Sequence, residues 1–160
     1  MTILLGEDEI SKCRSIANYL HDILQEVKIS EAHSITSAII HIRQHSYDYL
    51  LLDMSLPLFD NTDLSHSDTN EFDTFGGTAV LDEIDRLRLP CKVILITAFD
   101  TLGEGTSQIS LSEVTINLKE EYPDNFIGSV FYNVSLLTWK QELSRLLAKE
   151  GQKDNENSNY

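Results

Sequence analysis

Two uninterrupted apolar runs restrict the fold more than any other feature. They are YDYLLLD over residues 47–53 and KVILIT over residues 92–97. A strand with one wet face alternates apolar and polar residues, whereas a continuous run belongs to a strand buried on both faces, as in a parallel sheet. Weaker strand signals lie at residues 3–5, 27–32 and 126–132 (FIGSVFY). Helical spacing separates them. It joins Cys13, Ile16, Ala17, Leu20, Leu24 and Val27, then Ile35, Ala38, Ile39 and Ile42. Gly76-Gly77 breaks the chain before a helix predicted over 78–89, with Ala79, Ile84 and Leu87 supplying part of its buried face, Val80 and Leu81 beside them, and Pro90 ending it. Leu136, Trp139, Leu143, Leu146 and Leu147 mark a last helix, with Ser135 as its expected N-cap and Trp139 as a core anchor. Residues 99–107 read as a loop. Residues 108–122 fit a helix through Leu111, Val114, Leu118 and Tyr122, and a strand through Ile109, Leu111, Val114 and Ile116 about as well. Five strands alternating with five helices predict an α/β chain with a parallel sheet covered on both faces.

Charge narrows the function classes. Twelve Lys and Arg against 26 Asp and Glu give a net charge of −14. Nucleic-acid binding needs clustered basic residues, and an anionic membrane surface would repel this chain, so neither partner is expected. No apolar run approaches the roughly 20 residues of a membrane helix, and MTILLGEDE turns acidic too early for a signal peptide. Cys13 and Cys91 read as buried thiols of a reduced, cytoplasmic protein. The 160 residues are expected to hold one domain over 1–150, with an acidic insertion at about 58–75 and a disordered polar tail at 151–160.

Ligands of open parallel sheets bind beyond the carboxyl ends of the strands. Glu7, Asp8 and Glu9, then Asp53, then Thr97 stand at three such ends. Carboxylates converging from separate strands suit a hard divalent cation such as Mg²⁺. Beside a cation that neutralises phosphoryl oxygens, Asp53 could act as a nucleophile toward phosphorus, with the Thr97 hydroxyl hydrogen-bonding a phosphoryl oxygen. Taken alone, the acidic triplet better suits the first turn of a helix, and Thr97 a packed β-branched strand residue.

In order and register, these residues resemble the response-regulator receiver domains of two-component signalling. ILLGEDE resembles the family's first strand with its acidic metal-binding pair, which the resemblance places at Glu7 and Asp8. YDYLLLDMSLP resembles the third strand, with the phospho-acceptor at Asp53, a metal-ligating backbone carbonyl at Ser55 and the following Pro at Pro57. VILITAFD resembles the fourth strand, with the switch hydroxyl at Thr97 followed by the small Ala98. The resemblance implies a flavodoxin-like doubly wound sheet of strand order 2-1-3-4-5, and a stand-alone signalling domain that binds Mg²⁺ and accepts a phosphoryl group on Asp53. It also implies a sensor histidine kinase or phosphotransfer protein upstream, a downstream protein partner, and a homodimer through the last two helices and last strand.

Two departures stand out. The family's lysine after the fifth strand is missing. Tyr132 or Asn133 falls near its place, and Lys119 lies upstream of the Pro123 turn. The insertion carries Asp60, Asp63, Asp68, Glu71 and Asp73, a field that disfavours anionic phosphodonors. It lacks the glycine and oxygen spacing of an EF-hand. Both departures motivate an alternative, a pseudo-receiver that binds proteins without phosphoryl chemistry. An aspartyl-phosphate phosphatase would carry a second Asp where Ser55 stands. His41 and His45 have the spacing of a helical pair but no third ligand, so they read as a solvated face.

Overall fold

The computed structural model describes residues 1–60, 76–103 and 105–156. In chain order its elements are β1 (Thr2–Gly6), α1 (Ile10–Ile23), β2 (Lys28–Ala32), α2 (Ile35–Gln44), β3 (Tyr49–Leu52), α3 (Thr78–Arg86) and β4 (Lys92–Thr97). Then follow β5 (Thr101–Leu102), β6 (Ile109–Ser110), α4 (Leu111–Glu121), β7 (Phe126–Phe131) and α5 (Thr138–Glu156). The main sheet has five parallel strands in the order β2-β1-β3-β4-β7. Because β5 and β6 pair only with each other, β7 is the fifth strand of that sheet, and the order is the expected 2-1-3-4-5.

Successive strand residues point to opposite faces, so each strand feeds two cores. Leu4, Leu50, Leu52, Val93 and Leu95 pack beneath α2, α3 and α4. Ile3, Leu5, Leu51, Ile94 and Ile96 pack beneath α1 and α5. This double burial is the cause of the unalternated runs at Leu50–Leu52 and Val93–Ile96. The edge strand β7 shows the opposite pattern, alternating buried and less buried residues. Its register against β4 slips at Ile127, between Phe126 opposite Val93 and Gly128 opposite Ile94. A side chain at Gly128 would meet Leu146 Cδ2 at 2.9 Å, so glycine at this position lets α5 sit close to the sheet.

The structure corrects several local expectations. Within 99–107 the chain forms β5 and a 3-10 turn at Gly105–Ser107. The ambiguity over 108–122 resolves into a two-residue strand and then α4. Val114, Leu118 and Tyr122 are buried, while Ile116, which the strand reading needed inside, is 57% exposed. The third helix ends at Arg86 rather than 89, because Arg88 turns into the left-handed region at φ 51. Leu87 is therefore exposed instead of core-facing, and Ala79 is exposed as well, the buried apolar face being Val80, Leu81 and Ile84. Val27 lies beyond α1, which ends at Ile23. The last helix starts at Thr138. Leu136 is exposed, and Ser135 is no N-cap: its backbone N–H donates to Asn133 Oδ1 in the preceding turn. α5 continues to Glu156, into the stretch expected as a tail. Residues 157–160 and most of the insertion, 61–75, lie outside the described residues. No helix among the described residues is long and apolar enough to cross a membrane.

Candidate functional site

The pairing of β1 with β3 sets two carboxylates side by side. Gly6 is opposite Leu52, so Glu7 and Asp53 both follow the last paired position of their strands. The ladder continues into them: Asp53 N–H donates to Gly6 O and Glu7 N–H to Ala32 O, both at 2.9 Å. The two backbones are thus fixed before any side-chain contact is made. Glu7 is 1% exposed and Asp53 4%, with Asp8 partly open beside them. Ligand oxygens from Glu7, Asp8 and Asp53 all lie within 4.8 Å of one another. At the end of β4, Thr97 is fully buried, and its Oγ1 accepts from Phe99 N–H at 3.2 Å. The Thr97 carbonyl accepts from Tyr132 N–H at 2.7 Å, which ties β4 to the end of β7. Ser55 donates to Asp53 Oδ1 from its backbone N–H at 3.2 Å and from its hydroxyl at 3.1 Å. Two donors on one oxygen hold that carboxylate in a single orientation.

The structure adds a residue that the sequence reading missed. Lys12, in the first turn of α1, is 1% exposed. Its Nζ lies 2.8 Å from Asp53 Oδ2, 2.6 Å from Glu7 Oε2 and 3.1 Å from the Ile96 carbonyl. A buried lysine is rare unless paired. Here burial works against the charge, but Asp53 and Glu7 outweigh it and hold the ammonium above the ordinary lysine range. The signal for this residue was present in the sequence. Lys12, Ile16 and Leu20 are spaced i, i+4 and i+8, so the lysine lies in line with the buried stripe of α1.

One ammonium does not neutralise three carboxylates. Burial above all, with the charge of Asp53 adding and that of Lys12 opposing, pushes the Glu7 carboxyl up to about 7. Burial raises Asp8 as well. The close partner of Glu7 Oε2 is the Lys12 ammonium at 2.6 Å. An all-oxygen donor set, largely buried and carrying more negative charge than its one ammonium offsets, fits a hard dication.

Other expected features fall away from this point. Lys119 is exposed in the last turn of α4, just before β7 begins, and so lies at the opposite edge of the sheet from Asp53. His41 bonds the Tyr47 hydroxyl at 2.9 Å rather than joining a ligand set. Asp60 accepts from Ser37 at 3.4 Å, whereas Asp63, Asp68, Glu71 and Asp73 lie outside the described residues.

This architecture has solved counterparts. A response regulator receiver domain protein from Methanospirillum hungatei superposes with a TM-score of 0.62 at 19% identity, covering 97% of each chain. The fold is that of a response-regulator receiver domain. A second receiver fold, from the sensor histidine kinase PA1611 of Pseudomonas aeruginosa, was solved with a magnesium ion coordinated in its active-site cleft. It matches at a TM-score of 0.53 and 16% identity, over 92% of this chain and 94% of that one. Among curated sequences, the Detocs response regulatory protein DtcB of Enterobacter cloacae is 25% identical over 150 residues, 93% of this chain and 99% of its own length. No protein-family model matches the chain. In these receiver-fold terms, the acidic cluster at the carboxyl ends of β1 and β3 occupies the crevice where open α/β sheets bind their ligands.

Proposed function

We propose that the chain is a receiver-like signalling domain that binds Mg²⁺ and accepts a phosphoryl group on Asp53. The observation that carries this reading is the convergence of Glu7, Asp8 and Asp53 at the carboxyl edge of a receiver-fold sheet, three carboxylates against the one ammonium of Lys12. Side chains of Glu7, Asp8 and Asp53, with the Ser55 carbonyl, would hold the cation. When bound, it would supply charge neutralisation for the transferring phosphoryl oxygens.

The remaining work belongs to the chain. Asp53, held by Ser55 and Lys12, presents a carboxylate oxygen that attacks phosphorus. An O–P bond forms, the bond to the donor's leaving atom breaks, and its electron pair departs with the leaving group. Thr97 would exchange its bond from Phe99 N–H for one to a phosphoryl oxygen, and that exchange would remodel the β4–β5 loop. In this reading the chain performs no turnover beyond its own phosphorylation and dephosphorylation. Its donor is a sensor histidine kinase or phosphotransfer protein, and its output passes to a downstream protein in the cytoplasm. The face formed by α4, β7 and α5 exposes Ile116 at 57% and Phe131 at 39%, which supports self-association there.

Intact mass after incubation with acetyl phosphate and Mg²⁺ tests the reading. One phosphoryl adduct is expected, absent in Asp53→Asn. A folded protein that gains no adduct from acetyl phosphate or from a phosphohistidine donor would refute it. That result would leave the pseudo-receiver alternative, a protein-binding module on the same fold.

A further inference from the structure

We propose that Lys12, carried by α1, is the cation that binds the phosphoryl group on Asp53, in place of a lysine at the end of β7. The inference rests on the function proposed above.

Three observations carry it. The first is position. Lys12 Nζ touches Asp53 of β3 and the Ile96 carbonyl of β4, and lies 5.7 Å from the ring centroid of Tyr132, just past β7. The ammonium thus reaches across the sheet edge to the place that a lysine following β7 would fill. The second is electrostatic. Lys12 sits three residues after Glu9, the N-cap of α1, where the helix dipole is positive and a cation is disfavoured. It is also fully buried. Neither helix stability nor solvation accounts for a lysine here, and only the carboxylates do. The third is that no substitute exists among the described residues. No other Lys or Arg forms an ion pair with Glu7, Asp8 or Asp53.

The chemistry follows from the donor count. An ammonium has three N–H donors, and here they face Asp53 Oδ2, Ile96 O and Glu7 Oε2. Phosphorylation removes the charge of the Asp53 carboxylate and places a more negative phosphoryl group on the same atoms. Lys12 keeps its Ile96 anchor and donates to a phosphoryl oxygen in place of the carboxylate. The same contact lowers the charge repulsion that an anionic donor meets at this acidic site.

The test uses the full chain with acetyl phosphate and Mg²⁺, read by intact mass over time. Lys12→Met keeps the length and packing of the side chain but not its charge. Its initial phosphorylation rate should fall about tenfold to a hundredfold, as expected for loss of a charged hydrogen bond. The double variant Lys12→Met with Tyr132→Lys returns a cation from the β7 side and should recover part of that rate. A purely structural lysine would not be replaceable from another strand. For wild type, the Lys12 side-chain ¹⁵N resonance should shift on adding beryllofluoride with Mg²⁺, while that of exposed Lys119 stays in place, a readout that needs no variant to fold. A folded Lys12→Met protein phosphorylated at the wild-type rate would overturn the proposal, as would an unmoved Lys12 resonance in the beryllofluoride complex, and either would leave the Asp53 reading standing. An absent adduct in wild type itself would instead overturn both.

Discussion

Replacing Glu7 by Gln gives the sharpest test of the site's electrostatics. Glu7 is 1% exposed, and its carboxyl moves from the usual 4.5 to about 7, chiefly through burial. Between those values the unfolded chain has lost the proton while the folded chain still holds it. The native state therefore binds more protons, and stability must fall as pH rises through that window. At about 1.4 kcal/mol for each pH unit, the displacement from 4.5 to about 7 corresponds to a loss on the order of 3 kcal/mol. Gln has nearly the same shape and cannot ionise. Without metal, wild type and Glu7→Gln should be similarly stable near about pH 4.5. By about pH 8 the variant should lead by up to about 3 kcal/mol, less whatever is lost when Lys12 keeps only Asp53. If Glu7 ligates Mg²⁺ as proposed, magnesium should reverse the order, because ligation requires the ionised carboxylate. It should raise wild-type stability more as pH rises, and raise that of the variant little. Urea unfolding across this pH range, in EDTA and in millimolar Mg²⁺, measures both effects. In EDTA, a wild-type-minus-variant difference that stays flat or grows with pH would refute the assignment of a strained buried carboxylate.

Three further predictions concern the scaffold. Gly77→Ala should lower stability by roughly 1–3 kcal/mol in thermal or urea unfolding, the usual cost of overpacking, because its Cβ would lie 2.7 Å from Met54 Sδ and 3.1 Å from Met54 Cα. Glu83 bridges Arg43 of α2 and Arg86 of α3, and hydrogen bonds from Arg86 and then Arg43 lower its carboxyl to about 2. Its contribution is present above about pH 4.5 and is lost as pH falls toward 2, so wild type should outlast Glu83→Gln at neutral pH and converge with it in acid denaturation. Burial, as the main cause, pushes the Cys13 and Cys91 thiols up to about 12. Native protein should accordingly resist Ellman's reagent at about pH 8, with both thiols reacting only after denaturation.

The sheet was legible because its central strands are buried on both sides, and double burial leaves short unalternated apolar runs, alternating along the chain with helical spacing, that an edge strand does not show. Residues 108–122 were ambiguous for the converse reason. α4 buries only Val114 and Leu118 within its span, and two positions cannot separate a period of 3.6 from one of 2. A local signal that resolves the choice was present and went unread: Ser110 and Glu113 form a capping box, each side chain bonding the other's backbone N–H. The misplaced start of α5 has a different cause. Leu136 continues the helical spacing but is exposed, and apolar periodicity cannot distinguish a loop leucine from a buried one. At the site, Glu7, Asp8, Asp53 and Thr97 were legible because each ends a strand, and the sheet brings strand ends together. Strand ends do not point to Lys12, which reaches the same point from a helix through the length of its own side chain and is marked only by its place in line with Ile16 and Leu20.

That reach has a consequence for how such chains are sorted. A fingerprint written along the sequence assigns each charge to a slot, and by that measure this chain lacks a cation. The requirement imposed by an acyl phosphate is instead a positive charge at a point in space, and several backbone positions stand within one lysine's length of it. Charges can then migrate between elements while the electrostatic field at the acceptor is conserved. Receiver folds set aside as inert for want of a terminal lysine are worth screening for a basic residue in line with the buried stripe of their first helix.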